Sequence, residues 1–202
     1  MKKKKVLFIS STGGHLNELL QLSPLFEKYD YNIITEKDKT NKYLKEKYGD
    51  KLEYLPYGTR SQLFKYIFIY FFLILKTIYL YFKIRPKVII TTGTHTAGPM
   101  CYLGKIFGSK IIYIETFANI NKKTATGRLI YPIADLFIVQ WEEMLELYPK
   151  AIYGGSIFWN FELGTVPFSK RNRPQFKKME ERMLGFILSA IKIIFFLGFL
   201  IF

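Results

Sequence analysis

The chain has 202 residues, enough for one domain or one domain with a tail. Half of the residues are hydrophobic and 18% are aromatic, which excludes a wholly disordered chain, and the single cysteine, Cys101, excludes a disulfide framework or a multi-cysteine zinc site. Lys and Arg outnumber Asp and Glu by 30 to 16, which favours an anionic partner: a nucleic acid, a membrane surface or a phosphorylated substrate.

Short apolar runs alternate with segments of helical periodicity along most of the chain. The predicted strands cover residues 6–10, 31–35, 52–55, 87–92, 110–115 and 136–140. Helices are predicted over residues 16–25, 41–48, 98–107, 127–134 and 142–147. Strands that alternate with helices predict an α/β fold, with a parallel sheet that helices cover on both faces.

The segment before the fourth predicted strand, residues 63–83, is unusually apolar. Within residues 66–75, tyrosine is the only polar residue type. Three interpretations are open: a buried helix of a soluble domain, a helix that crosses a membrane, and a helix that lies in the membrane interface. A crossing helix would place the third and fourth strands of one sheet on opposite sides of the bilayer.

The charges within this segment favour the interfacial helix, because lysine side chains can reach lipid headgroups while aromatic rings stay among the acyl chains. The lysines that interrupt the segment are Lys65, Lys76 and Lys83. The side chains expected to contact lipid are Phe68, Phe71 and Phe72. An apolar segment of this kind is unusual in nucleic-acid-binding modules, so a membrane is the favoured anionic partner.

The end of the chain differs in composition from residues 1–158, which are predicted to form the domain. Residues 159–182 are basic and predict a linker. Residues 183–202 are almost wholly apolar, with Lys192 as the only charge, and predict either a spanning helix or a terminal helix docked on the domain. With one cysteine and no signal-peptide pattern, the expected compartment is the cytoplasm.

A glycine turn follows the first predicted strand. Thr12, Gly13, Gly14 and His15 stand between that strand and a helix, at the sheet edge where parallel sheets bind ligands. Glycines there allow an anion to approach the backbone and the helix N-terminus, although the dinucleotide fingerprint G-x-G-x-x-G is absent. His15 is a candidate general base or phosphate ligand, and an ordinary tight turn is the alternative.

A second loop repeats this arrangement at the end of the fourth strand. Thr92, Gly93, Thr94 and His95 precede a helix there, and this loop and the glycine turn are expected to converge on one cleft; a simple connection is the alternative. Glu115 ends the fifth strand and is either an acceptor of a substrate proton or a residue beside a helix cap.

An ordered series of motifs makes the sequence recognisable: STGGHLNEL, TTGTHTAGP, IETFA, and GRLIYPIADLFIVQW followed by YPKAIYGG. Over residues 5–158 the chain resembles the anchor subunit of the split N-acetylglucosaminyltransferase of asparagine-linked glycosylation. It looks closest to that family's bacterial counterparts in capsule and exopolysaccharide assembly. It is more distantly similar to the lipid-II-forming glycosyltransferase. Thr116 and Phe117 depart from the family pattern, in which Ser and Trp are usual.

The resemblance implies a Rossmann-like N-terminal half of a GT-B glycosyltransferase at the cytoplasmic face of the cell membrane. A small partner chain would supply most of the UDP-sugar site, and this chain would present a polyprenyl-diphosphate-linked acceptor for inverting transfer of a hexose. No metal or other cofactor is implied. The alternatives are a non-catalytic membrane scaffold that activates a separate transferase and, from charge alone, a nucleic-acid-binding protein.

The resemblance and the motifs together assign roles to individual residues. The catalytic candidates are His15 and Glu115. The acceptor-binding candidates are Thr12, Gly13, Gly14, Asn17, Thr92, Gly93, Thr94 and His95. The residues expected to contact the partner chain are Trp141, Tyr153, Ile157 and Phe158.

Overall fold

The computed structural model describes residues 3–58 and 63–158, so the predicted linker and terminal helix, residues 159–202, lie outside it. Seven parallel strands form one sheet in the order β3-β2-β1-β4-β5-β6-β7. The strands are β1 (Lys5–Ile9), β2 (Asp30–Glu36), β3 (Leu52–Leu55), β4 (Val88–Thr91), β5 (Lys110–Ile114), β6 (Leu136–Val139) and β7 (Ile152–Tyr153). The predicted α/β fold and its parallel sheet are confirmed, and β7 is the strand that the sequence pattern missed.

Helices connect the strands as predicted, with some differences in extent. They are α1 (Gly14–Leu20), α2 (Tyr43–Tyr48), α3 (Leu63–Ile84), α4 (Ala97–Ile106), α5 (Ala125–Ile130) and α6 (Met144–Leu147). The helix predicted over residues 16–25 is shorter in the structure: α1 ends at Leu20. A separate 3₁₀ turn follows at Ser23–Leu25, with Pro24 near its start. Proline has no N–H to continue the α-helical hydrogen bonding.

The sheet separates two hydrophobic cores. Successive residues of β1 point to opposite faces: Val6 and Phe8 pack in the core that contains α1, whereas Leu7 and Ile9 pack in the core that contains α3 and α4. All four side chains are completely buried. Burial on both faces explains why the strands are continuous apolar runs instead of alternating patterns.

Along the described side chains of α3, residues 67–84, one stripe is buried and much of the remaining surface is exposed. The buried side chains in this range are Leu73, Thr77, Leu80, Tyr81 and Ile84. The predicted lipid contacts are open on the opposite side: Phe68 is 67% exposed, Phe71 55% and Phe72 60%. Within the described part of the chain, Ile67–Ile84 is the stretch long and apolar enough to cross a membrane, and only 28% of it is buried.

The position of α3 argues against two of the three interpretations of this segment. It joins β3 to β4, which lie in the same sheet, and it packs against α4 beside that sheet. A bilayer-crossing course therefore does not fit, and neither does a fully buried helix, because a wide aromatic face stays open. The interfacial helix stays a prediction.

Candidate functional site

The glycine turn after β1 and the loop after β4 meet at the carboxyl edge of the sheet. The backbone N–H of Ser11 donates to the carbonyl of Gly93 over 3.2 Å. Gly13 has φ +82° and Gly93 has φ +98°, conformations that favour glycine. A Cβ added at Gly13 or Gly14 would meet no atom of the described residues within 4 Å, so this turn borders open space. The predicted convergence of the two loops is observed.

His15 links these two loops through hydrogen bonds in both directions. Its Nδ1 lies 2.7 Å from the carbonyl oxygen of Thr92, and the hydroxyl of Thr92 donates to the carbonyl of His15 over 2.7 Å. A carbonyl oxygen can only accept, so Nδ1 carries the proton and Nε2 keeps a lone pair. Burial lowers the pKa of the imidazole, partly offset by the Thr92 hydrogen bond. Because the lowered pKa keeps the imidazole neutral at neutral pH, and because the side chain is 24% exposed, Nε2 can accept a proton there.

Glu18, three residues further along α1, was not among the predicted site residues. Its side chain is 3% exposed, and Oε1 accepts from the hydroxyl of Thr116 (2.8 Å) and the backbone N–H of Phe117 (2.9 Å). The other oxygen, Oε2, has no hydrogen-bond partner among the described residues and lies 4.0 Å from Nδ1 of His15. The signal available in the sequence was the i, i+3 spacing from His15, which places both side chains on one helical face.

Glu115 lies in an enclosed cluster at the end of β5. It is 1% exposed and accepts hydrogen bonds from the hydroxyls of Thr124 (2.9 Å) and Tyr148 (2.7 Å) and from the N–H of Thr116 (3.1 Å). These contacts hold the start of α5 and the end of α6 against β5. The assignment of Glu115 as a catalytic residue stays a prediction.

The second histidine belongs to a different pair. His95 Nε2 lies 3.4 Å from Oε1 of Glu36, a buried carboxylate at the end of β2 that also accepts from the hydroxyl of Thr96 over 2.6 Å. The hydroxyl of Thr94 lies 3.4 Å from the other ring nitrogen, Nδ1. Glu36 is a second buried carboxylate at the strand ends that sequence reasoning missed.

The remaining acceptor-binding candidates border the same edge. The hydroxyl of Thr12 accepts from the side-chain amide of Asn41 over 3.2 Å, which ties the glycine turn to the segment after β2. Asn17 is exposed on α1, and its backbone N–H donates to the carbonyl of Gly13 over 3.1 Å. Within residues 3–58 and 63–158, no group of three or more His, Cys, Asp or Glu side chains is arranged to hold a metal ion.

An apolar groove of about 580 Å³ runs between α3, α4 and α5 and reaches His95. Its walls include Tyr70 and Ile74 of α3, Leu103 of α4 and Leu129 of α5. The neighbouring outer face of α3 is the one that exposes Phe71 and other aromatic side chains. The groove thus connects an open apolar surface to the polar loops at the sheet edge.

The predicted partner-contact residues divide into two groups. Trp141 is partly exposed and donates through Nε1 to the carbonyl of Phe117 over 2.8 Å. Its ring lies 4.6 Å from the Phe117 ring, tilted by 33°. Tyr153 and Phe158 are also partly exposed, and Tyr153 lies on the edge strand β7. Ile157 is completely buried in the protein's own core, so its assignment to a contact surface is wrong.

Comparison with solved structures identifies the fold. The chain is similar in fold to MurG of Acinetobacter baumannii, with a TM-score of 0.60 and 14% identity over 81% of this chain and 50% of that chain. It is also similar to UDP-N-acetylglucosamine 2-epimerase from Rickettsia bellii, with a TM-score of 0.57 and 15% identity over 77% of this chain and 45% of that chain. The chain spans about half the length of these structures and is a Rossmann-like domain that resembles the N-terminal half of a GT-B glycosyltransferase.

The family follows from the sequence comparison. The family model described as "Oligosaccharide biosynthesis protein Alg14 like" matches residues 6–157, so the chain belongs to the Alg14-like family. The UDP-N-acetylglucosamine transferase subunit ALG14 of Candida albicans is 32% identical over 179 residues, which cover 76% of this chain and 81% of that protein. The subunit of the same name from Mus musculus is 27% identical over 179 residues, covering 76% and 82%. The family predicted from the motifs is confirmed, and the bacterial capsular counterparts stay a prediction.

Proposed function

We propose that this chain is the acceptor-side subunit of a two-chain glycosyltransferase. The subunit would present a polyprenyl-diphosphate-linked sugar to a small partner chain that binds a UDP-sugar, in the assembly of a capsular polysaccharide or exopolysaccharide at the cytoplasmic face of the cell membrane. UDP-N-acetylglucosamine is the first donor to test, because the relatives are named as subunits of its transferase. The relatives are named as subunits of a transferase, which supports a requirement for a second chain.

The arrangement of His15 carries this proposal. The Thr92 carbonyl orients the ring so that Nε2 can accept a proton, and the open glycine turn beside it leaves room for an acceptor. In inverting transfer, His15 would take the acceptor hydroxyl proton while that oxygen attacks the anomeric carbon and UDP leaves with the electron pair of the broken bond.

In this proposal, the lipid of the acceptor would bind along the groove and the outer face of α3. The exposed aromatic side chains of α3 would lie among lipid, as in interfacial helices. A prenyl chain would run along the apolar groove, with its diphosphate end toward His95 and the two loops. The excess of lysine and arginine would favour both an anionic membrane surface and the diphosphate.

The central experiment measures sugar transfer from labelled UDP-N-acetylglucosamine to a polyprenyl-diphosphate-linked sugar. This chain alone, the partner chain alone and their mixture are assayed, and only the mixture should be active. His15→Ala in the mixture should lower transfer by ~10²–10⁴-fold, the usual contribution of a general base. Gly14→Val should also lower transfer because its side chain would extend into the open turn, whereas Gly14→Ala, the smaller control, should have less effect.

A non-catalytic scaffold is the second candidate function, and the enclosure of Glu115 favours it. With that carboxylate enclosed, His15 is the catalytic candidate that lies beside the open glycine turn. Full activity of both His15→Ala and Gly14→Val at limiting acceptor would contradict the acceptor site and support the scaffold. An effect of His15→Ala confined to the acceptor KM would indicate binding instead of proton transfer.

A further inference from the structure

We propose that Glu18 is a positioning residue that pairs with His15 and stabilises its protonated form. The two side chains are one helical turn apart on α1, with Oε2 of Glu18 4.0 Å from Nδ1 of His15. Oε1 is held by Thr116 and Phe117, so the carboxylate is fixed in place and Oε2 stays directed to the histidine side.

The unpaired oxygen is what distinguishes Glu18 from a purely structural residue. A buried carboxylate oxygen without a donor carries a desolvation cost that folded proteins normally avoid. Oε2 has no donor among the described residues, although Oε1 has two. A positive charge on His15 would offset that cost by direct attraction, while Nδ1–H stays on the Thr92 carbonyl.

The groups around this pair determine when it is charged. Burial raises the pKa of Glu18 to about 7, and the nearby Glu115 carboxylate acts in the same direction. On the His15 side, the Thr92 carbonyl from the loop after β4 contacts the imidazole. The Tyr113 hydroxyl of β5 is also on this side, because both it and the His15 ring flank Gly93. Glu18 is therefore the carboxylate that lies beside the imidazole. Because its pKa is about 7, its charge changes near neutral pH.

The consequence for the reaction rests on the proposed function. When the acceptor O–H bond breaks, its proton would bind Nε2 of His15, and the oxygen's electron pair would form the new bond to the sugar. Histidine then carries a full positive charge in a poorly solvated site. The Glu18 carboxylate would balance that charge until the proton returns to solvent, in the way that a buried carboxylate supports the histidine of a catalytic triad.

The first test is independent of activity and uses the full chain in detergent micelles. The sequence contains only two histidines, so ¹³C-labelled histidine signals can be followed by NMR and assigned with His95→Gln. Glu18→Gln keeps the size and the Oε1 acceptor but removes the charge. Because the two groups of the parent titrate as a coupled pair, the pKa of His15 should fall by about one unit in this variant, the lower end of the effect of a charge at this distance. Glu53→Gln, which removes a partly exposed carboxylate paired with Lys83, is the matched control and should leave the His15 pKa unchanged.

The second test measures transfer by the assembled complex against pH. Glu18→Gln should lower kcat by up to about 10²-fold with little change in the acceptor KM, and the acidic limb of the profile should move to lower pH because the base is weaker. An unchanged His15 pKa in Glu18→Gln would overturn the inference. A lowered His15 pKa with unchanged transfer would uphold the pairing and instead contradict the proposed role of His15 as the base.

Discussion

At the scale of single residues, three buried carboxylates near the strand ends have different surroundings. Glu115 receives three hydrogen bonds, Glu36 receives one from Thr96 and lies beside His95, and Glu18 leaves one oxygen unpaired. Burial raises the pKa of both Glu18 and Glu115. Because the number of donors differs, both oxygens of Glu115 are satisfied by its packing contacts, whereas Glu18 keeps one oxygen without a donor among the described residues.

The raised pKa of Glu18 makes stability depend on pH. The folded chain holds the Glu18 proton up to about pH 7, whereas the unfolded chain loses it near the ordinary value of 4.5, so stability falls as pH rises through this interval. Glu18→Gln has no proton to lose. We expect it to be more stable than the parent at pH 8, by on the order of 1–3 kcal/mol, with the difference vanishing near pH 4.

Thermal unfolding of both proteins at a series of pH values checks this expectation, with Glu53→Gln, at a partly exposed carboxylate, as the control. A parent protein whose advantage over Glu18→Gln grows with pH would contradict it.

Gly127 of α5 is required by the close approach of the Glu115 cluster. A Cβ at this position would lie 2.3 Å from Oε2 of Glu115 and 2.5 Å from the hydroxyl of Tyr148. Gly127→Ala should therefore destabilise the protein by about 1–3 kcal/mol, the usual cost of overpacking. Gly98→Ala in α4 is the control, because its Cβ meets nothing within 4 Å among the described residues, and it should leave stability unchanged or raise it. Equal stabilities of the two variants in chemical denaturation would contradict this account.

At the scale of elements, α3 combines two surfaces. Its buried stripe packs on the sheet. Its exposed face is aromatic, whereas the outer face of a helix that borders water is normally polar. This division lets a single helix serve as a crossover between strands and as a candidate membrane contact.

The aromatic face of α3 should hold the protein on membranes without the terminal apolar segment. After deletion of residues 183–202, the protein should still sediment with anionic vesicles. Replacement of Phe68, Phe71 and Phe72 by Ser should release it, since burial of each large side chain is worth ~1.5–3 kcal/mol. Tyr43→Ser, on an equally exposed aromatic residue of α2, should have no such effect. A soluble truncated protein with α3 unaltered would defeat the idea.

At the scale of the whole molecule, the sheet ends at β7, near the residues predicted to contact a partner. The ring of Phe117 lies between those of Trp141 (4.6 Å) and Phe158 (5.7 Å), so a partly exposed aromatic cluster sits beside the edge strand. Such clusters are typical of protein–protein contacts.

Phe158→Asp should weaken co-purification with the donor-binding partner chain, because it places a charge in this cluster. Ile157→Asp should instead reduce the amount of folded protein, since a charge would enter the core. Tyr43→Asp, at an exposed site on α2, is the control. Undiminished co-purification of Phe158→Asp would count against this surface as the docking site.

The sequence by itself determined the strand positions, the parallel α/β fold and the meeting of the two loops, because apolar runs report local periodicity and parallel strands place their carboxyl ends at one edge. Tertiary structure alone decided that Glu115 and Ile157 are enclosed, that Glu18 faces His15, and which face of α3 is open. The bond from Thr116 to Glu18 joins residues 98 positions apart, and packing decides such contacts. The two-residue strand β7 is too short to show a period and forms only because β6 supplies its hydrogen-bonding partner.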